Sequence, residues 1–148
     1  MPRTRINTSA QAPGAFAAMR DFDKTVSKGI DPHLYELVKL CASQINGCAY
    51  CVDLHFQDAR RQGETERRLH AVAVWQESPF FTARERAAVA LTEAVTLVAD
   101  THVPDPVWEQ AEAQFSQAEL AHLVMAIAAI NSWNRIAVSS RMTPPRRT

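Results

Sequence analysis

Apolar residues recur along this chain at the 3.6-residue period of amphipathic helices, and no run alternates at period two. Leu34, Leu37, Val38, Cys41 and Ile45 share one stripe, with Asp31 placed as the N-cap and Pro32 at the first helical position. Asn46-Gly47 breaks that helix. The next begins at about Cys48 and runs to Gln62, where Gly63 supplies a C-terminal cap. Upstream, Phe16, Met19, Phe22 and Val26 mark the apolar side of a helix from Pro13 to Lys28, ended by Gly29. Downstream, Leu69, Val72 and Trp75 predict a helix over about Thr65 to Gln76, which Ser78-Pro79-Phe80-Phe81 terminates.

Two capping boxes follow. Thr82 with Glu85 opens a helix from Ala83 to about Ala99, and Ser116 with Glu119 opens the last one, to about Ser139. Between them Asp105 and Pro106 start a short helix that ends near Phe115. The pattern predicts an all-α fold, a single compact domain of six or seven helices over residues 13–140. Residues 1–12 read as a mobile arm or an edge that packs on a partner, and residues 141–148 as a tail. The last helix is apolar nearly all round between Leu120 and Ile130, broken mainly by His122. Such a helix is buried on several sides, and part of it is expected to lie against another subunit.

Composition agrees with helices and narrows the partners. Of 148 residues, 47% are hydrophobic, 7% aromatic and only four are glycine. Sixteen basic and 16 acidic residues cancel, which points away from nucleic acid and from an anionic membrane. No apolar stretch reaches membrane-spanning length, and Arg3 and Arg5 are not followed by an apolar signal segment, so a cytoplasmic location is expected. Three cysteines, two of them close together, do not form a secreted disulfide framework.

The candidate chemistry sits at the junction of two helices. Cys48, Cys51 and His55, at i, i+3 and i+7, lie on one helical face. The first turn of a helix stabilises a thiolate through unpaired N–H groups and the helix dipole. With a neighbouring imidazole, such a setting brings a thiol pKa from about 8.5 to roughly 3.5–7.5. A zinc corner is the competing reading, with Glu36 as a fourth ligand, although no second Cys/His cluster accompanies it. A c-type haem site would need histidine where Val52 stands, and a thioredoxin-like site would accompany a βαβ pattern. Taken singly, His55 is an ordinary polar-face histidine and Glu36, off the apolar stripe, a solvated carboxylate. Cys41, on the stripe, reads as structural. Tyr50 either donates a hydrogen bond into the site or packs. His33, His70, His102 and His122 show no ligand spacing.

Glu36, eleven intervening residues, Cys48-x-x-Cys51, three more and His55 resemble the signature of AhpD-like alkylhydroperoxidases within the carboxymuconolactone decarboxylase superfamily. The resemblance continues in Phe81-Thr82-Ala83-Arg84-Glu85-Arg86 and in Ala128-Ala129-Ile130-Asn131-Ser132-Trp133-Asn134-Arg135, and spans about residues 14 to 140. Tyr50 departs from it, since the best-known members carry histidine between the cysteines. The resemblance implies an AhpD-like fold and thiol-dependent reduction of a hydroperoxide substrate. Cys51 would be the attacking thiolate, Cys48 would resolve it as a disulfide, His55 would be the base and Glu36 its orienting partner. An external dithiol or thiol would be the reductant, and no metal, flavin or haem cofactor is implied. Relatives of this size suggest a homo-oligomer, trimeric or hexameric. Trp133, Asn134 and Arg135 are expected near the site or at an interface, with Arg135 suited to an acidic partner. Two other functions stay open: lactone decarboxylation, whose enzymes generally lack the paired cysteines, and a non-catalytic module, zinc-stabilised or purely helical, for oligomerisation.

Overall fold

A computed structural model describes residues 3–146; the remaining residues of the expected arm and tail, 1–2 and 147–148, lie outside the described residues. Among the described residues the chain is all-α with no strand. Its helices are α1 (Thr8–Gln11), α2 (Pro13–Ser27), α3 (Pro32–Ile45), α4 (Ala49–Arg61), α5 (Glu66–Ala71), α6 (Ala83–Thr96), α7 (Val98–Thr101), α8 (Asp105–Glu112) and α9 (Gln117–Ser140). The count exceeds seven by two, α1 and α7, and one expected helix also changes its form. The segment expected as one helix after Thr65 tightens into a 3-10 turn over Val72–Val74. The helix after Thr82 ends at Thr96 because Leu97 leaves helical geometry, and α7 restarts as a separate turn. The second addition, α1, forms inside the expected arm. Asn7 caps it through Oδ1, which accepts from the Ala10 amide at 3.1 Å. The arm is also tied to its own chain, because the Arg5 amide donates to the Ser140 carbonyl at 2.9 Å.

The buried spine is α3. Asp31 caps it as expected, its Oδ1 accepting from the Leu34 amide at 2.9 Å. Beyond that cap, α3 packs against α4, α6 and α9, so its apolar surface is covered on more than one side. Leu34 and Val38 join Leu91, Leu123 and Ile127 in one core cluster, while Leu37, Leu40 and Cys41 join Leu69, Val72 and Val89 in a second. Fully burying each such side chain stabilises the fold by roughly 1.5–3 kcal/mol. Gly29 allows one tight crossing: a Cβ there would fall 2.1 Å from a His122 ring atom.

The Phe81 to Arg86 segment is a structural hinge between α5, α6 and α9. Glu85 closes the capping box with Thr82 and also accepts from Arg68 Nη2 at 2.6 Å. Arg68 in turn donates to the Phe80 carbonyl at 2.6 Å and to Glu64 at 3.0 Å. Arg86 donates to the carbonyls of Trp75, Gln76 and Ser78, and Arg84 reaches the Gln114 carbonyl and Glu119. Three neighbouring side chains thus satisfy loop carbonyls that no helix can pair. Glu85→Ala removes one arm of the capping box and a partner of Arg68 together. The expected loss of unfolding free energy is about 1.5–3 kcal/mol, read from the urea midpoint of the purified protein.

Candidate active site

Helices α3 and α4 form an antiparallel pair whose tight connection places the cysteines. Asn46 ends α3 and Gly47 follows at φ +65°, a left-handed conformation that a side chain at Cβ would disfavour. An asparagine clamp holds this turn to α9. Asn46 Nδ2 donates to Asn131 Oδ1 and to Asn134 Oδ1, both at 2.9 Å, and the fully buried Asn134 donates to Ser43 Oγ at 3.0 Å. Asn131 also receives Arg135 Nη1 at 2.8 Å. Arg135, suited to an acidic partner, finds an amide one here.

Beyond Gly47 the chain enters α4. Cys48 is not the first helical residue; it is the N-cap, with extended backbone, and its Sγ accepts from the Cys51 amide at 3.3 Å. Cys51 lies in the first turn, and the two cysteines are paired as a disulfide with Cα atoms 5.3 Å apart. Both are almost wholly buried, at 2% and 3% exposure. Cys51 nevertheless borders a cleft of about 290 Å³, whose lining includes His55, Phe16, Arg20, Leu54 and Trp133. The cleft is walled by α2, α4 and α9. Phe16 of α2 and Trp133 of α9 meet edge to face at 5.2 Å in that wall. Tyr50 packs against the cysteine pair and lines the same cleft.

One turn beyond Cys51, His55 is buried at 8% exposure, and its Nδ1 lies 3.2 Å from Glu36 Oε2. Glu36 is itself only 5% exposed, so it is not the solvated carboxylate that its place off the apolar stripe suggests. The reason is that α3 is enclosed on several faces, which a single stripe does not reveal. Burial alone would raise the Glu36 carboxyl. The hydrogen bond from His55 and the charge of Lys39, whose Nζ lies 2.6 Å from Oε1, outweigh it and hold the group below its ordinary value. An ionised carboxylate only accepts, so Nδ1 carries the proton and Nε2 is left as the basic nitrogen.

Lys39 and the α2 side of the cleft were not singled out by sequence pattern. The readable signal for Lys39 was its place one turn after Glu36, a pairing distance on a helix. The cleft wall from α2 had no local signal, because only the tertiary packing brings it to Cys51. Among the described residues, the side chains that converge in a metal-like group are Glu36, His55 and Asp58, with ligand atoms within 4.8 Å of one another. Neither cysteine belongs to that group. Lys39 occupies Glu36 Oε1, and Arg61 Nη1 lies 2.5 Å from Asp58 Oδ1. These two cations offset the charge a divalent ion needs, and we assign no metal ligands here.

An all-α scaffold with a helix-capping cysteine pair beside a buried histidine–carboxylate pair defines the class. The profile of the Carboxymuconolactone decarboxylase family matches residues 11–94, more than half of the chain. The chain belongs to this family. The Bacillus subtilis (strain 168) protein YdfG, itself uncharacterised, is 38% identical over 136 residues, which cover 91% of this chain and 92% of YdfG. A crystal structure from Agrobacterium tumefaciens, described as of unknown function and as a candidate antioxidant defence protein AhpD, superposes with a TM-score of 0.96. It is 42% identical and is matched over 98% of this chain and 100% of its own. The fold is therefore AhpD-like. The debrominase Bmp8 shares that fold at 21% identity and a TM-score of 0.83, covering 93% of this chain and 75% of its own.

Cys41 provides an internal contrast. It is buried away from the cleft, and burial, assisted by the Glu93 charge, pushes its thiol up to about 12. In reduced native protein, iodoacetamide at neutral pH is expected to label Cys48 and Cys51 but not Cys41, with the third label appearing only in urea. The raised thiol also fixes a sign. Its contribution to stability is complete below the ordinary thiol value of 9.0 and is lost as pH rises through about 12. Replacement by Ala or Val should flatten that alkaline decline in a pH series of urea melts.

Proposed function

We propose that this protein is a thiol-dependent peroxidase that reduces hydroperoxides through Cys48 and Cys51. The observation that carries this reading is the placement of Cys51 at the cleft, in the first turn of α4, beside a histidine whose Nδ1 is held by a buried carboxylate. In the reduced protein His55 Nε2 takes the Cys51 proton, and the helix N-terminus favours the resulting thiolate. The thiolate attacks the terminal peroxide oxygen. The O–O bond breaks, the sulfur becomes a sulfenic acid, and the departing alkoxide takes the proton and leaves as an alcohol. Cys48 then attacks the Cys51 sulfur, expels water and forms the disulfide. Two thiols of an external reductant regenerate the pair by exchange.

Cys48 suits the resolving role because the hydrogen bond from the Cys51 amide to its Sγ favours its thiolate as well. The apolar and aromatic lining of the cleft favours organic hydroperoxides over hydrogen peroxide. The antioxidant description of the AhpD-type neighbour supports this reading, and the family supports an enzyme.

The test uses cumene hydroperoxide with dithiothreitol as reductant. Cys51→Ser is expected to abolish consumption, while Cys48→Ser leaves a sulfenic acid at Cys51 that dimedone traps. Wild-type turnover in both single variants would discard the assignment. Assembly is a second expectation. Met125 and Val138, at separate places on α9, are each 47% exposed, and contact with another copy of the chain would cover such apolar side chains. Sedimentation at micromolar concentration should show a homo-oligomer, and a monomer would exclude it.

A further inference from the structure

Beside the site lies a buried cation that the peroxidase chemistry does not itself consume. The Lys39 side chain is only 12% exposed, and its Nζ donates to Glu36 Oε1 at 2.6 Å. The same ammonium lies 4.2 Å from the centre of the Tyr35 ring. Tyr35 is fixed in turn, because its hydroxyl donates to Asp23 of α2. Lys39 is thus held on two sides. A lysine so enclosed loses much side-chain freedom and hydration, and an ion pair that merely tied α3 to itself would not need it there.

We propose that Lys39 is a positioning residue for the Glu36–His55 pair. It holds one oxygen of Glu36, so that the carboxylate stays ionised and presents the other oxygen to His55 Nδ1. That contact keeps the proton on Nδ1 and the basic Nε2 toward the Cys51 cleft. The inference rests on the reading of His55 as the base for Cys51. Lys39 and His55 meet different oxygens of Glu36, with the carboxylate between them. Attraction of Lys39 for Glu36 therefore exceeds its repulsion of a protonated imidazole.

The other charged or titratable neighbours are accounted for. On α3 they are Tyr35 and Lys39; α4 contributes Tyr50, His55 and Asp58; α2 contributes Arg20 and Asp23, which line the cleft with Cys51 and His55, and neither of these two sets the ionisation of Glu36. Two more charges point elsewhere: Glu93 of α6 acts on Cys41, and Arg135 of α9 binds Asn131. Asp58 is paired with Arg61. Lys39 is therefore the cation that Glu36 depends on.

The experiment follows iodoacetamide labelling of Cys51 against pH in reduced full-length protein, so it needs no peroxide turnover. Lys39→Met should move the acidic limb of the profile upward by about one to three pH units, because a buried carboxyl without its cation takes up a proton more readily. Lys39→Arg should restore the limb to near its original place. In a Glu36→Gln background Lys39→Met should add nothing, since its action passes through Glu36. Lys39→Gln, which keeps the length and drops the charge, serves the same comparison if the methionine variant does not fold. A limb unchanged in the charge-removing variants, or a shift that persists in the Glu36→Gln background, would overturn the proposal. If labelling responds as expected but no hydroperoxide is consumed, the peroxidase reading fails and the positioning role stands.

Discussion

The site depends on a carboxylate that is buried and yet charged. Removing Glu36 from water costs several kcal/mol unless its charge is met by well-placed partners. Two partners meet it, one on each oxygen: Lys39 from the same helix and His55 from the next. This arrangement also acts between helices, because the His55 contact links α3 to α4 across their turn. A rotation of α4 that pulled His55 away would leave one oxygen of this buried carboxylate without its partner. The orientation of the cysteine-bearing helix is thereby set by electrostatics as well as by packing.

The turn between the helices is the second fixed point. Gly47 takes a left-handed conformation, and Asn46 is held by two asparagines of α9. A loose connection would let Cys48 slide between cap and helix. Held as it is, Cys48 stays at the cap and Cys51 in the first turn, one facing the amide of the other. These positions give the two sulfurs different surroundings despite a spacing of three residues. Cys48 has the backbone donor. Cys51 has the cleft and the neighbouring imidazole.

Much of this was legible in the sequence, and the exceptions share a cause. Caps, helix breaks and apolar stripes are local, so Asp31, Pro32, Thr82–Glu85 and Ser116–Glu119 located helix starts that the structure retains. The three residues of the Cys48, Cys51 and His55 pattern were legible too, because helical spacing fixes a shared face. Their approach to Glu36 was legible only through the family resemblance, since pattern alone placed that carboxylate in solvent. Residues 1–12 lacked an apolar period, which hid both α1 and the attachment of Arg5 to the end of α9. Likewise, a stripe shows one buried face, whereas α3 is covered on several. What is decided by long-range packing, including the α2 wall of the cleft and the asparagine clamp, leaves no period to read.

The three cysteines separate the influence of residue type from that of place. Cys41 and Cys51 have similar burial and lie in adjacent helices, so accessibility alone does not distinguish them. Cys41 is in the body of α3, where the amides above and below it are already engaged by the helix, and the nearby Glu93 charge further disfavours a thiolate. Cys51 lies in an opening turn, where amides lack helical partners, and it borders the cleft that His55 lines, whereas Cys41 borders a separate cavity beside Glu93. Burial without compensating donors makes a thiol inert. Cys51 instead stands at a helix start, on the same cleft as an imidazole anchored by a carboxylate. The same fold thus gives two equally buried cysteines different surroundings, and the difference traces to the break at Asn46 and Gly47 that begins a new helix between them.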